Sequence, residues 1–100
     1  METLNFFPPF AEDIINGEKL ETTRYGEKRQ YHVNDTVQVT IGWNKDDARN
    51  LCKIIINSIE EKRFEQLSKQ EQKLLKLIYK VEPEMTDVFT VICFERIAGE

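Results

Sequence analysis

Polar and apolar residues alternate strictly through Thr36-Val37-Gln38-Val39-Thr40-Ile41. A period of two predicts a half-buried strand over residues 36–41, with Val37, Val39 and Ile41 facing a core and Thr36, Gln38 and Thr40 facing water. Asn34-Asp35 just before it can turn the chain, because asparagine tolerates the left-handed backbone region. Residues 4–7 form a short apolar strand candidate, stopped by Pro8-Pro9. Proline suits a first helical turn, Glu12 and Asp13 complement the positive end, and Gly17 after Asn16 is a C-terminal stop. These signals predict a short helix over residues 9–16 that packs through Phe10, Ile14 and Ile15.

Residues 20–25 read as a threonine-containing strand bounded by Gly26. Residues 42–50 are polar and read as a hairpin loop with Trp43 at its start. Residues 51–59 are β-branched and almost continuously apolar at their centre, the pattern of a strand buried on both faces. Residues 60–66 then form a charged connection into which strand pairing can extend. Ser68-Lys69-Gln70-Glu71 has the form of a capping box, so a helix should begin at Ser68. Leu74, Leu75, Leu77, Ile78 and Val81 follow with helical spacing before Pro83. Residues 88–97 are a final long strand. The order strand, helix, strand, strand, strand, helix, strand predicts one α+β domain over residues 1–100. Its sheet should be mostly antiparallel and able to close into a small barrel.

Composition narrows the function classes. With 40% apolar and 32% charged residues, the 100-residue chain has the balance of a globular protein and not of a disordered one. Fourteen basic and 18 acidic residues give a net charge of -4, which argues against the extended basic surface of a protein that grips long nucleic acid. No DNA partner is expected. Lys19, Arg24, Lys28 and Arg29 concentrate positive charge locally, with Glu18, Glu21 and Glu27 interleaved. Cys52 and Cys93 stand in apolar stretches without a second cysteine or a histidine at metal-ligand spacing, which predicts buried thiols in a reducing cytosol. His32 is the only histidine, and no metal site is expected. No apolar run is long enough to span a bilayer and no leader pattern opens the chain, so the expected location is the cytoplasm. The glycines are scattered, without a phosphate-binding loop.

Candidate chemistry gathers in Gly17-Glu18-Lys19-Leu20-Glu21-Thr22-Thr23-Arg24, where a helix gives way to a strand. On a strand, Leu20, Thr22 and Arg24 share one face, while Glu21 and Thr23 share the other. Lys19 can meet Thr22 only from the turn after Gly17. Each residue also has a structural reading: Thr22 as a strand former, Arg24 in a surface ion pair, and Glu71 as the capping residue.

The sequence resembles the ASCH domain family, whose members have a PUA-like β-barrel fold. The resemblance runs through Phe6-Phe7-Pro8-Pro9-Phe10 and Ile14-Ile15-Asn16-Gly17-Glu18-Lys19, then through Thr22, Arg24 and Tyr31 to Asp35. It returns more weakly at Phe89-Thr90-Val91-Ile92-Cys93-Phe94. Within the family it looks most like the small bacterial amidohydrolases that remove the acetyl group from N(4)-acetylcytidine. Their pattern is approximately G-x-K-T-x-T-x-R followed by an aromatic and G-D. Lys19, Thr22 and Arg24 fall on it, whereas Leu20 replaces its first threonine and Asn34 its glycine.

The resemblance implies a PUA-like barrel with two helices and a hydrolase that uses a lysine, a threonine and a glutamate. Lys19 and Thr22 carry over directly, and Glu71 is the carboxylate nearest the expected place. Phe7, Leu20, Arg24 and Tyr25 are the corresponding substrate-binding candidates, with Phe7, Tyr25 or Trp43 able to stack on a pyrimidine at a pocket rim. No cofactor is implied. The expected ligand is a modified nucleoside or a short RNA. Two other functions stay open: a non-catalytic PUA-like module binding RNA through Lys19, Arg24, Lys28 and Arg29, and an RNA-cleaving ASCH protein.

Overall fold

The structure is a computed structural model that describes residues 2–80 and 82–97; Val81 and Gly99 of the sequence patterns lie outside them. Five strands form one curled sheet: β1 (Thr3–Phe6), β2 (Glu21–Tyr25), β3 (Thr36–Ile41), β4 (Arg49–Arg63) and β5 (Val88–Arg96), in the order β1-β3-β4-β5-β2. The β1–β3 pair is parallel and the other three are antiparallel. The two helices are α1 (Ala11–Ile15), entered through a 3-10 turn at Pro8–Phe10, and α2 (Lys69–Tyr79). No helix among the described residues is long and apolar enough to cross a membrane.

Alternation explains the core. Val37 and Val39 of β3 and Cys52, Ile54 and Ile56 of β4 are buried, and they join Leu4, Phe6, Ile14, Ile92 and Phe94 in one cluster. A second cluster lies under α2, where Leu75 meets Phe64, Leu67, Phe89 and Val91. The turn before β3 is the one expected from Asn34, whose φ is +75°; its N–H donates to Ile56 O at 2.8 Å, while Asp35 accepts from His32 N–H. Gly42 is required by crowding, since a Cβ there would stand 2.7 Å from Ala48 Cα.

Three expectations are corrected, and one is met in full. The sheet is an open half-barrel, because the four-residue β1 runs into Pro8-Pro9, which offer no N–H donors, and remains an edge opposite β2. β4 buries one face rather than two: Cys52, Ile54 and Ile56 point inward, but Lys53 and Ile55 are only half-buried. Strand pairing does extend into the charged connection, as the sequence allowed: Glu60, Glu61, Lys62 and Arg63 pair with β5. Finally, Leu74 and Leu77 of α2 are exposed, so the helix presents only a narrow stripe with Leu75 at its centre.

Candidate functional site

Between α2 and the open edge of the sheet lies a cavity of about 430 Å³. Its walls come from three places. The end of β1 and the following turn supply Asn5, Phe6, Phe7 and Phe10. The link after α1 and strand β2 supply Lys19, Glu21, Thr22, Thr23 and Arg24, and α2 supplies Glu71, Leu74, Leu75, Ile78 and Tyr79. Lys19, Thr22, Glu71, Arg24 and Phe7 therefore share one cavity.

The local backbone explains how Lys19 enters it. Gly17 takes φ +75° and ends α1, after which the N–H groups of Glu18 and Lys19 both donate to Asp13 O, at 2.8 and 3.0 Å. This fold-back holds Lys19 outside the regular strand, as the face argument requires. Its Nζ lies 4.8 Å from the centre of the Phe10 ring and 5.9 Å from that of Phe6. Burial and the nearby Arg24 guanidinium both push the amine's pKa below its ordinary value, while Glu21 and Asp13 act more weakly in the other direction. The result is a lysine with easier access to its neutral, basic form.

Thr22 and Arg24 point to the same side of β2 and are bonded to each other: Arg24 Nε donates to Thr22 Oγ1 at 3.0 Å. Arginine can only donate, so the bond occupies a lone pair of the hydroxyl and leaves the Thr22 proton for another acceptor. Thr22 is thereby set up as a donor into the cavity. Arg24 Nη2 donates to Asn5 O at 2.8 Å, and its guanidinium carbon lies 4.7 Å from the Phe6 ring centre. No ion pair holds Arg24 among the described residues.

Glu71 serves its helix through the main chain, its N–H donating to the Ser68 hydroxyl at 3.1 Å. The reciprocal arm of a full capping box, from Ser68 N–H to the carboxylate, is not formed among the described hydrogen bonds. The carboxylate instead meets the Ser68 hydroxyl at 3.4 Å and borders the cavity. Capping and a role in the site are therefore compatible.

Leu20 and Tyr25 fall elsewhere. Leu20 is 51% exposed and is absent from the cavity wall. The Tyr25 ring packs on Phe89 and Tyr79, with its hydroxyl bonded to Asp87. Trp43 is exposed and stacks on Phe7, 5.2 Å between ring centres, backing the rim without lining it.

Sequence reasoning missed Asn5, whose side chain is fixed by Thr40 Oγ1 at 2.8 Å and by Gly42 O at 2.9 Å. Its signal was a polar residue between Leu4 and Phe6, both of them buried. It also missed Glu21 as a carboxylate acting on Lys19, and Tyr79, which lines the cavity.

No protein-family model matches the chain, and no curated protein matches it in sequence. Solved structures do match in fold. An ASCH domain from Lactobacillus crispatus JV V101 superposes with a TM-score of 0.69 at 16% identity, over 95% of this chain and 79% of that one. The ASCH protein of Zymomonas mobilis gives 0.60 at 14% identity, over 95% and 68%. The protein EF3133 of Enterococcus faecalis V583 gives 0.61 at 11% identity, over 89% and 70%. These likenesses establish the fold, a small α+β half-barrel shared with ASCH-domain proteins.

Proposed function

We propose that the chain is an ASCH-type amidohydrolase that removes an acyl group from the exocyclic amine of a modified nucleoside such as N(4)-acetylcytidine. The observation that carries this reading is the shared cavity: a lysine with a depressed pKa, a hydroxyl oriented as a donor and a carboxylate all border one space of nucleoside size.

In this mechanism, neutral Lys19 takes a proton from a water molecule as the water oxygen attacks the acyl carbon. The tetrahedral oxyanion accepts from Thr22 Oγ1–H and lies in the field of Arg24. The Lys19 ammonium then gives its proton to the exocyclic nitrogen as the carbon–nitrogen bond breaks, freeing the nucleoside amine. The carboxylic acid product loses its proton to solvent by way of Glu71, whose carboxylate holds the attacking water beforehand. Phe7, backed by Trp43, offers a ring face for the pyrimidine.

The test is incubation with N(4)-acetylcytidine while cytidine release is followed by chromatography. Wild-type protein should release cytidine, and Lys19→Ala and Thr22→Ala should each slow release by about 100-fold or more, the usual contribution of an acid–base or oxyanion group. No release by the wild type rules out this substrate.

A further inference from the structure

A second cavity, of about 360 Å³, lies beside the first, and Arg24 and Tyr79 belong to the walls of both. Its other polar walls are Tyr25, Lys28, Gln30 and Tyr31. Among the described residues no carboxylate lines this space; Glu21 and Glu71 border the first cavity only.

The donors around it are available. Arg24 uses Nε on Thr22 and Nη2 on Asn5, leaving Nη1 without a bond among the described residues. The Tyr79 hydroxyl accepts from Tyr25 N–H at 3.3 Å and so keeps its own proton to donate. Lys28 forms no ion pair among the described residues, since its neighbour Glu27 is held by Arg29 at 2.6 Å. Tyr25 and Tyr31 are already engaged, with Asp87 and with Thr3 O, and form fixed walls.

We propose that this second cavity is a phosphate subsite, with Arg24, Lys28 and Tyr79 as its donors, and that the molecule filling both cavities is a nucleotide rather than a bare nucleoside. An arginine Nη1 with a lysine and a hydroxyl is a donor set suited to a phosphate ester. Two cations in a wall that holds no carboxylate among the described residues favour an anion over a neutral group, the nearby Asp87 and Glu2 acting on the Tyr25 and Tyr31 hydroxyls. The nucleotide part rests on the nucleoside reading of the first cavity, whereas the phosphate subsite does not.

The experiment is calorimetric titration of the full chain with inorganic phosphate, and then with cytidine and cytidine 5′-monophosphate. It compares wild type, Lys28→Ala and, as a control at an exposed lysine away from both cavities, Lys45→Ala. Wild type and Lys45→Ala should bind phosphate saturably, and Lys28→Ala about tenfold more weakly, the loss of one charge-assisted contact. Absence of saturable binding, or equal binding by wild type and Lys28→Ala, overturns the subsite. The monophosphate should bind wild type about tenfold more tightly than cytidine, an advantage that Lys28→Ala removes. Equal affinities overturn the nucleotide assignment. Circular dichroism of both variants separates loss of binding from loss of fold. If the amidohydrolase reading alone is wrong, acetylcytidine remains uncleaved while phosphate binding and its dependence on Lys28 persist.

Discussion

Arg24 on β2 donates to the carbonyl of Asn5 on β1 at 2.8 Å, across the gap where the two edge strands of the sheet remain unpaired. A side chain thus makes the connection that a backbone ladder would make in a closed barrel. The same guanidinium holds Thr22 and acts on Lys19.

Replacing Arg24 by lysine keeps the charge but loses the fork. Arg24→Lys should cost about 2 kcal/mol, the scale of charged hydrogen bonds lost from a half-buried group. The unfolding midpoint should fall by roughly 10 °C, given the usual entropy of a domain this size. A thermal melt followed by circular dichroism measures it, and an unchanged midpoint would show that the bridge contributes nothing.

The pH response of Lys19 has a definite sign. Burial and Arg24 lower its folded pKa below the unfolded value, so the unfolded chain binds more protons between the two. Stability should therefore rise with pH across that window, and the burial penalty is fully present below it. Turnover through the neutral amine rises with pH through the folded pKa. Arg24→Gln removes a nearby positive charge and should move the Lys19 titration to higher pH, leaving burial to hold it down against Glu21 and Asp13. NMR of the labelled lysine side chain reads this directly; a titration at unchanged or lower pH would contradict it.

The two carboxylates of the first cavity should behave oppositely. Glu71→Gln removes the group assigned to the water and should slow acetylcytidine hydrolysis by about 100-fold. Glu21→Gln removes a charge that favours protonated Lys19, and should move the rising limb of the pH–rate profile to lower pH. If Glu21→Gln abolishes turnover while Glu71→Gln does not, the two assignments exchange.

Gly42 tests the support behind the aromatic rim. A Cβ there would lie 2.7 Å from both Ala48 Cα and Asp47 Oδ1. The second clash falls on a carboxylate that already accepts from Trp43 and Asn44 N–H groups. Gly42→Ala should destabilise by about 1–3 kcal/mol through overpacking, read from the midpoint of urea unfolding at unchanged slope. A midpoint equal to wild type would mean that the loop yields freely.

Features set by near neighbours could be read from the sequence. Alternation in Thr36–Ile41 located β3, Asn34 announced its positive φ, and Gly17 placed Lys19 in the turn. Features set by distant partners could not. The charges of Glu60, Glu61, Lys62 and Arg63 suggest a connection, yet their backbones complete a ladder with residues near Phe89. Leu77 obeys helical spacing but faces water, and Leu74, half exposed, borders the cavity and not the core. Nothing local in Asn5 reports that its carbonyl receives Arg24. Leu20 occupies the motif's threonine position but is exposed and outside the cavity wall.

The first cavity draws its walls from both apolar clusters, Phe6 from one and Leu75 from the other. Strand β5 contributes to both clusters, Ile92 and Phe94 to one and Phe89 and Val91 to the other, and links them like a shared spine. Empty, the seam between them is a place where the halves can loosen separately. A ligand that touches both sides acts as a wedge and a weld together: it raises the melting temperature by mass action and makes the two halves come apart in a single, sharper step.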